Sequence, residues 1–107
     1  MNQKTLSMLS MSCKAGKLRS GSFEVEESVK KNKAFLVIAA GDSSAGTKKK
    51  YADMCRFYNV SFYIDGTIDE LSRAIGKSCR SAVAVTDRGL ADALARLLRN
   101  DMEETNG

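Results

Sequence analysis

The sequence predicts an α/β fold in which a largely parallel sheet is covered by helices on both faces. Three apolar runs carry this prediction: FLVIA at 35–39, VSFYI at 60–64 and AVAVT at 82–86. Each has the length of a strand, and each is separated from the next by a segment whose apolar residues recur at helical spacing. The first run has no polar alternation, which suits a central strand buried on both sides. Strands that alternate with helices stack into layers with the sheet inside.

The elements follow in order. From Lys4 to Ala15, Leu6, Leu9 and Cys13 recur along one side of a helix with Met8 and Met11 beside them, and Gly16 stops it. A second helix opens after Gly21 with Ser22 as its expected N-cap. It places Glu24, Glu26 and Glu27 in its first turn and Lys30, Lys31 and Lys33 at its end, an order that complements the helix dipole. After the first strand, Gly41, Asp42, Ser43, Ser44 and Gly46 form a polar loop. Tyr51, Met54, Cys55 and Tyr58 then mark a third helix ending near Asn59. Asp65 and Gly66 close the second strand, and Thr67 and Glu70 have the spacing of a capping box on a helix that runs to Ile75 and ends at Gly76. Asp87 caps the last helix, whose Leu90, Ala93, Leu94, Leu97 and Leu98 make a wide apolar stripe. A single domain over residues 1–100 with a frayed acidic tail at 101–107 is expected.

Composition narrows the chemistry. The longest uninterrupted apolar stretch, 34–40, is far below the roughly 18 to 20 residues that cross a bilayer. The opening MNQKTLSMLSMSCKAGK interrupts its apolar residues with serines and sets lysines on both sides, unlike a secretory signal. A cytoplasmic protein with no membrane partner is expected. Cys13, Cys55 and Cys79 are odd in number and contain no CxxC pair, so they are no disulfide framework. With no histidine in 107 residues, a metal site would have to be assembled from scattered groups, and general-base chemistry loses its usual side chain. An enzyme is therefore not expected, nor a metal or other cofactor, and the thiols read as small apolar groups or surface bystanders.

Charge is unevenly placed. Residues 1–50 hold ten Lys or Arg against four Asp or Glu, and residues 51–107 hold seven against nine, so the halves are +6 and −2. Such asymmetry within one domain points to a face that attracts phosphate backbones. Three segments contribute. Lys14-Ala-Gly-Lys-Leu-Arg-Ser-Gly-Ser22 brings two glycines and several donors directly to a helix N-terminus, where free amides form an anion site. It lacks the GxxxxGK[ST] spacing of a nucleotide-hydrolysing loop. Gly46-Thr-Lys-Lys-Lys50 sets three lysines at a helix start, where positive charge is mildly unfavourable; phosphate contact and plain solvation both fit that placement. Gly76-Lys-Ser-Cys-Arg80 is a loop offering two charges and several backbone donors.

Taken in order, AGKLRSG, the helix up to KKNK, AFLVIAAGDSS, TKKKYADMCRFYNV, DELSRAIGK and SAVAVTD resemble the L7Ae/L30e ribosomal-protein family, most closely its small bacterial YlxQ-like members. The resemblance spans about Lys4 to Leu98. It implies a three-layer α/β/α sandwich with a four-stranded mixed sheet, completed by a short extra strand at Leu18 to Ser20. It also implies binding to structured RNA such as kink-turns or related internal loops; the expectation is a non-catalytic, monomeric protein whose partner is structured RNA, ribosomal RNA included. The resemblance implies RNA contact at Gly21 to Glu27 and at Gly76 to Arg80; joined with the basic segments above, the expected RNA-binding residues are Gly16, Lys17, Arg19, Ser20, Gly21, Ser22, Phe23 and Glu24, then Lys48, then Gly76, Lys77, Ser78, Cys79 and Arg80. In this reading the amides after Gly21 hold phosphate, Glu24 accepts a hydrogen bond from a guanine edge, and the 76–80 loop closes over unstacked bases. Two positions depart from the family's Gly-x-Asn-Glu turn with its following lysine: Phe23 stands in the asparagine position and Glu27 in the lysine position. Phe23 stacks or enters the core, and Glu27 repels phosphate. A protein-interaction adaptor on the same sandwich is the alternative that these departures raise.

Overall fold

The computed structural model describes the backbone of residues 1–106 and the side chains of residues 1–100. The elements are α1 (Gln3–Lys14), β1 (Leu18–Ser20), α2 (Ser22–Lys30), β2 (Leu36–Ala39), α3 (Ala45–Tyr58), β3 (Ser61–Ile64), α4 (Ile68–Ala74), β4 (Ala82–Val85) and α5 (Arg88–Asn106). The expected frayed tail at 101–107 falls outside the side chains described.

The four strands form one mixed sheet in the order β1-β4-β2-β3. Only β2 and β3 are parallel, paired from Leu36↔Ser61 to Ala39↔Ile64. β4 runs antiparallel to both β2 and β1, so the largely parallel sheet expected from strand–helix alternation is corrected. The cause lies in the connections. The 14-residue α3 is long enough to return the chain to the edge where β2 began. The 7-residue α4 is followed by the 75–81 segment, which brings the chain back to the edge that β3 had just left. β4 therefore starts where β2 ends.

Strand alternation divides the core into two layers. Leu36, Ile38, Val83 and Val85 face α1, α4 and α5, packing with Leu9, Leu71, Leu94 and Leu98. Val37, Ala82 and Ala84 face α2 and α3, packing with Val25, Val29, Tyr51 and Cys55. Ala82 and Ala84 share this layer with the buried Tyr51. On α1 the buried stripe is Thr5, Leu9 and Ser12 rather than Leu6, Leu9 and Cys13. The two hydroxyls tolerate burial because they bond locally, Thr5 Oγ1 donating to Asn2 Oδ1 at 2.9 Å and Ser12 Oγ to the Met8 carbonyl at 2.8 Å.

The same topology gathers three helix starts at one edge of the sheet. There the Gly21 amide donates to the Ala82 carbonyl at 3.3 Å, Ala40 to Ser81 at 2.8 Å and Asp65 to Ala39 at 3.0 Å. These bonds hold together the ends from which α2, α3 and α4 depart. We refer to this edge as the rim.

Candidate nucleic-acid interface

The three helix starts at the rim differ in how their orphan amides are satisfied. At α3, Ser44 Oγ accepts from the Thr47 amide at 3.1 Å. At α4, Thr67 and Glu70 complete the expected capping box with two bonds of 3.0 Å, and Asp42 Oδ1 accepts from the Ile68 amide at 2.8 Å. At α2 the N-cap is Gly21, not Ser22, which is the first helical residue. Gly21 takes φ 89° and ψ 156°, a conformation almost restricted to glycine, and it has no side chain to cap with. The Val25 amide donates to the Gly21 carbonyl at 3.0 Å, so the amides of Ser22, Phe23 and Glu24 lie ahead of the first helical bond and lack intrahelical partners. Of the three starts, α2 alone presents an uncapped, positively polarised end.

Arg80 reaches this open end. A Cβ placed on Gly21 would lie 3.9 Å from both Cδ and Nε of Arg80, so the guanidinium stem passes directly beside the turn. Its Nη1 donates to the Ser78 carbonyl at 3.2 Å, while its Nε is buried with no hydrogen-bond partner among the described residues. A buried unsatisfied donor on a charged group is costly, and an arriving anion relieves it. The loop that carries Arg80 is pinned from below by the buried Ser72: its Oγ accepts from the Arg80 amide at 2.8 Å and its carbonyl from the Lys77 amide at 2.9 Å. Cys79 takes a left-handed φ of 52°, which lets the chain turn between Ser78 and Arg80. Lys77, Ser78 and Cys79 are all exposed.

The remaining predicted residues divide. Phe23, 75% exposed, is a surface ring and not part of the core. Glu24 is exposed in the first turn of α2. Ser20 is buried within β1. Gly16 and Lys17 are at the far end of β1, where the Lys17 carbonyl accepts from Thr86, roughly 13 Å of strand from Gly21. Arg19, between these ends, is exposed and donates to the Gly16 and Leu18 carbonyls. Gly76 lines a shallow hollow with Cys13 and Lys14, to one side of the rim.

The lysines that open α3 have partners within the molecule. Lys48 Nζ donates to the Gly41 carbonyl at 2.9 Å, at the rim itself. Lys49 pairs with Asp53 at 2.6 Å, and Lys50 with Glu26 at 3.3 Å while lying 5.2 Å over the Tyr51 ring. Glu27, the expected repulsive charge, pairs with Lys31 at 2.7 Å. That hydrogen bond and the lysine's charge hold its carboxyl below the usual carboxylate range. Its negative charge is therefore locally compensated.

Beside α2 runs an open groove of about 540 Å³ lined by Arg19, Phe23, Glu24, Glu27, Ser28, Lys31, Lys33, Phe35 and Thr86. Ser72, Lys33 and Phe35 adjoin the expected contact residues without having been among them. Ser72 carries no local signal, since its role depends on a loop eight residues later, and Phe35 reads as the first residue of a buried strand. Among the described residues, no group of three or more His, Cys, Asp or Glu side chains is placed to hold a metal, and no helix is long and apolar enough to cross a membrane.

Residues 3–95 match the family model described as the ribosomal protein L7Ae/L30e/S12e/Gadd45 family. The chain belongs to this family. Within the L7Ae/L30e family it is similar to RNA-binding protein YlxQ of Bacillus subtilis (strain 168), at 37% identity over 91 residues covering 85% of this chain and 91% of the relative. RNA-binding protein YlxQ of Enterococcus faecium is 30% identical over 96 residues, covering 90% and 92%. A solved structure of a protein of unknown function from Bacillus halodurans C superposes with a TM-score of 0.87 at 35% identity, covering 92% of this chain and 99% of that one. The Giardia lamblia 15.5kD RNA binding protein superposes at 0.74 with 19% identity, covering 94% and 89%, a likeness of fold. This L7Ae/L30e member is thus a YlxQ-like three-layer sandwich, and its β1 spans the Leu18 to Ser20 that the resemblance implied.

Proposed function

We propose that the chain is a non-catalytic RNA-binding protein that recognises structured RNA of the kink-turn or internal-loop type, in the cytoplasm and in association with the ribosome. The observation that carries this reading is the uncapped start of α2 with the unpartnered Arg80 Nε beside it. A phosphate seated there accepts from the Ser22 to Glu24 amides and from Arg80 together. Glu24, acceptor-only when ionised, takes the N–H edge of an exposed guanine next to that phosphate. Lys77 and Lys48 add positive potential along the rim, and Ser78 and Cys79 close the loop over unstacked bases. The names borne by the two bacterial relatives support RNA as the partner, and the family description supports a ribosomal setting. Shape rather than sequence is what these groups read.

A second reading, an adaptor that has lost RNA recognition, draws on the exposed Phe23 ring in the contact turn. Titrating a kink-turn RNA and an unkinked duplex across a salt series separates the two. Selective binding of the kinked RNA supports the proposal. Equal affinity for both reduces the rim to nonspecific attraction, and no binding to either favours the adaptor.

A further inference from the structure

We infer that the groove beside α2 is a second RNA subsite, which takes a single-stranded segment continuing from the structured element held at the rim. This rests on the proposed RNA-binding reading and extends it by naming what lies next to the rim. Phe23 and Glu24 belong to both surfaces, so a strand leaving the rim enters the groove without crossing a gap.

The groove combines the two features that hold unpaired nucleic acid, ring faces for stacking and cations for the backbone. Phe23 is 75% exposed at one end, and Phe35 is 37% exposed in the same lining. Exposed phenyl rings are unfavourable in water and gain by being covered. The Arg88 guanidinium lies 5.3 Å from the Phe35 ring centroid and sets a positive charge next to that ring. Among the lining residues, Lys31 and Glu27 neutralise each other. Arg19 and Lys33 then face only Glu24, so the groove is net positive.

The length also fits. From Phe23 to the C-cap at Lys31 the helix rises about 12 Å at 1.5 Å per residue, the height of roughly three nucleotides stacked at 3.4 Å. An apolar peptide would leave the excess positive charge of the groove unneutralised, whereas a ribose-phosphate strand meets both the rings and the charge.

The test compares a blunt kink-turn RNA with the same RNA carrying a tail of four adenosines, attached in turn to each strand end, by fluorescence anisotropy. With the wild-type protein, a tail at one end raises affinity about tenfold, in keeping with stacking of one or two bases. The double variant Phe35→Leu with Lys33→Gln loses this gain and keeps its affinity for the blunt RNA. Arg80→Met weakens both RNAs alike and leaves the gain intact. If the blunt RNA binds and no tail adds affinity, or if the gain survives in the groove variant, the subsite is overturned while the rim reading stands. If neither RNA binds, both fall. Should the double variant fail to give a wild-type thermal melt, Lys33→Gln alone, at an exposed position, carries the comparison with a smaller expected loss of the gain; an undiminished gain in that folded variant overturns the subsite.

Discussion

Gly21 joins the fold to the site. Its φ of 89° with ψ 156° lies where a Cβ is strained whatever space surrounds it. Gly21→Ala is expected to lower stability by about 1 to 3 kcal/mol, read as a shifted urea midpoint, and to weaken RNA binding because the turn that presents the α2 amides must move. Wild-type stability in that variant would contradict the strained-turn description. The neighbouring loop shows a similar device in Cys79, whose φ of 52° is unusual for a residue with a side chain. A third residue, Cys55, has a different consequence. Burial pushes its thiol up to about 11 from the ordinary 9.0. The folded protein holds this proton across an interval in which the unfolded chain releases it. The associated stabilisation is therefore complete below pH 9 and lost as the pH rises through about 11. Measured against Cys55→Ala, the wild type should lose relative stability over that interval; a constant difference would show that the thiol titrates normally.

At the level of helices, the contrast between capped and open starts assigns separate tasks to elements that share one edge. The capping box of α4 serves stability. Thr67→Ala should cost about 1 kcal/mol in denaturant unfolding and leave RNA affinity unchanged, because the bonds it breaks are internal to that helix start. A loss of affinity as large as the loss of stability would mean that the helix starts at the rim are not independent. These caps were legible in the sequence: Thr67, Glu70 and Asp87 sit at fixed offsets from their helices, and the Asp87 carboxylate indeed accepts from the Leu90 amide at 2.9 Å. The open start of α2 was half legible. Gly21 and Ser22 marked it, yet only φ distinguishes an N-cap glycine from the residue before an N-cap serine. The Lys48–Lys50 cluster was legible only in part: Lys49 and Asp53 are four residues apart on α3, whereas Gly41 and Glu26, the partners of Lys48 and Lys50, come from the preceding loop and from α2.

Across the whole molecule, alternating strands and helices predicted the layers and both cores but not the strand directions, which depend on where the 75–81 segment delivers β4. That same segment decides the site. It returns Arg80 to Gly21, 59 positions earlier in the chain, and no local pattern encodes such a meeting. Charge asymmetry between the halves pointed to a basic face, but the antiparallel pairing of β1 with β4 separates Gly16 and Lys17 from the rim by the length of a strand. Net charge thus overstates how many cations meet at one place.

The most direct measurement is the affinity of the Lys77→Ala, Arg80→Ala double variant for a kink-turn RNA, taken over a salt series beside the wild type. The expected result is a loss of about a hundredfold or more at low salt, the worth of two charge-assisted contacts at about 1.5 kcal/mol or more each, with the slope of log affinity against log salt reduced by about 1.5 and the thermal melt unchanged. Equal affinity and equal slope for the two proteins would contradict a rim built from the α2 start and the 76–80 loop.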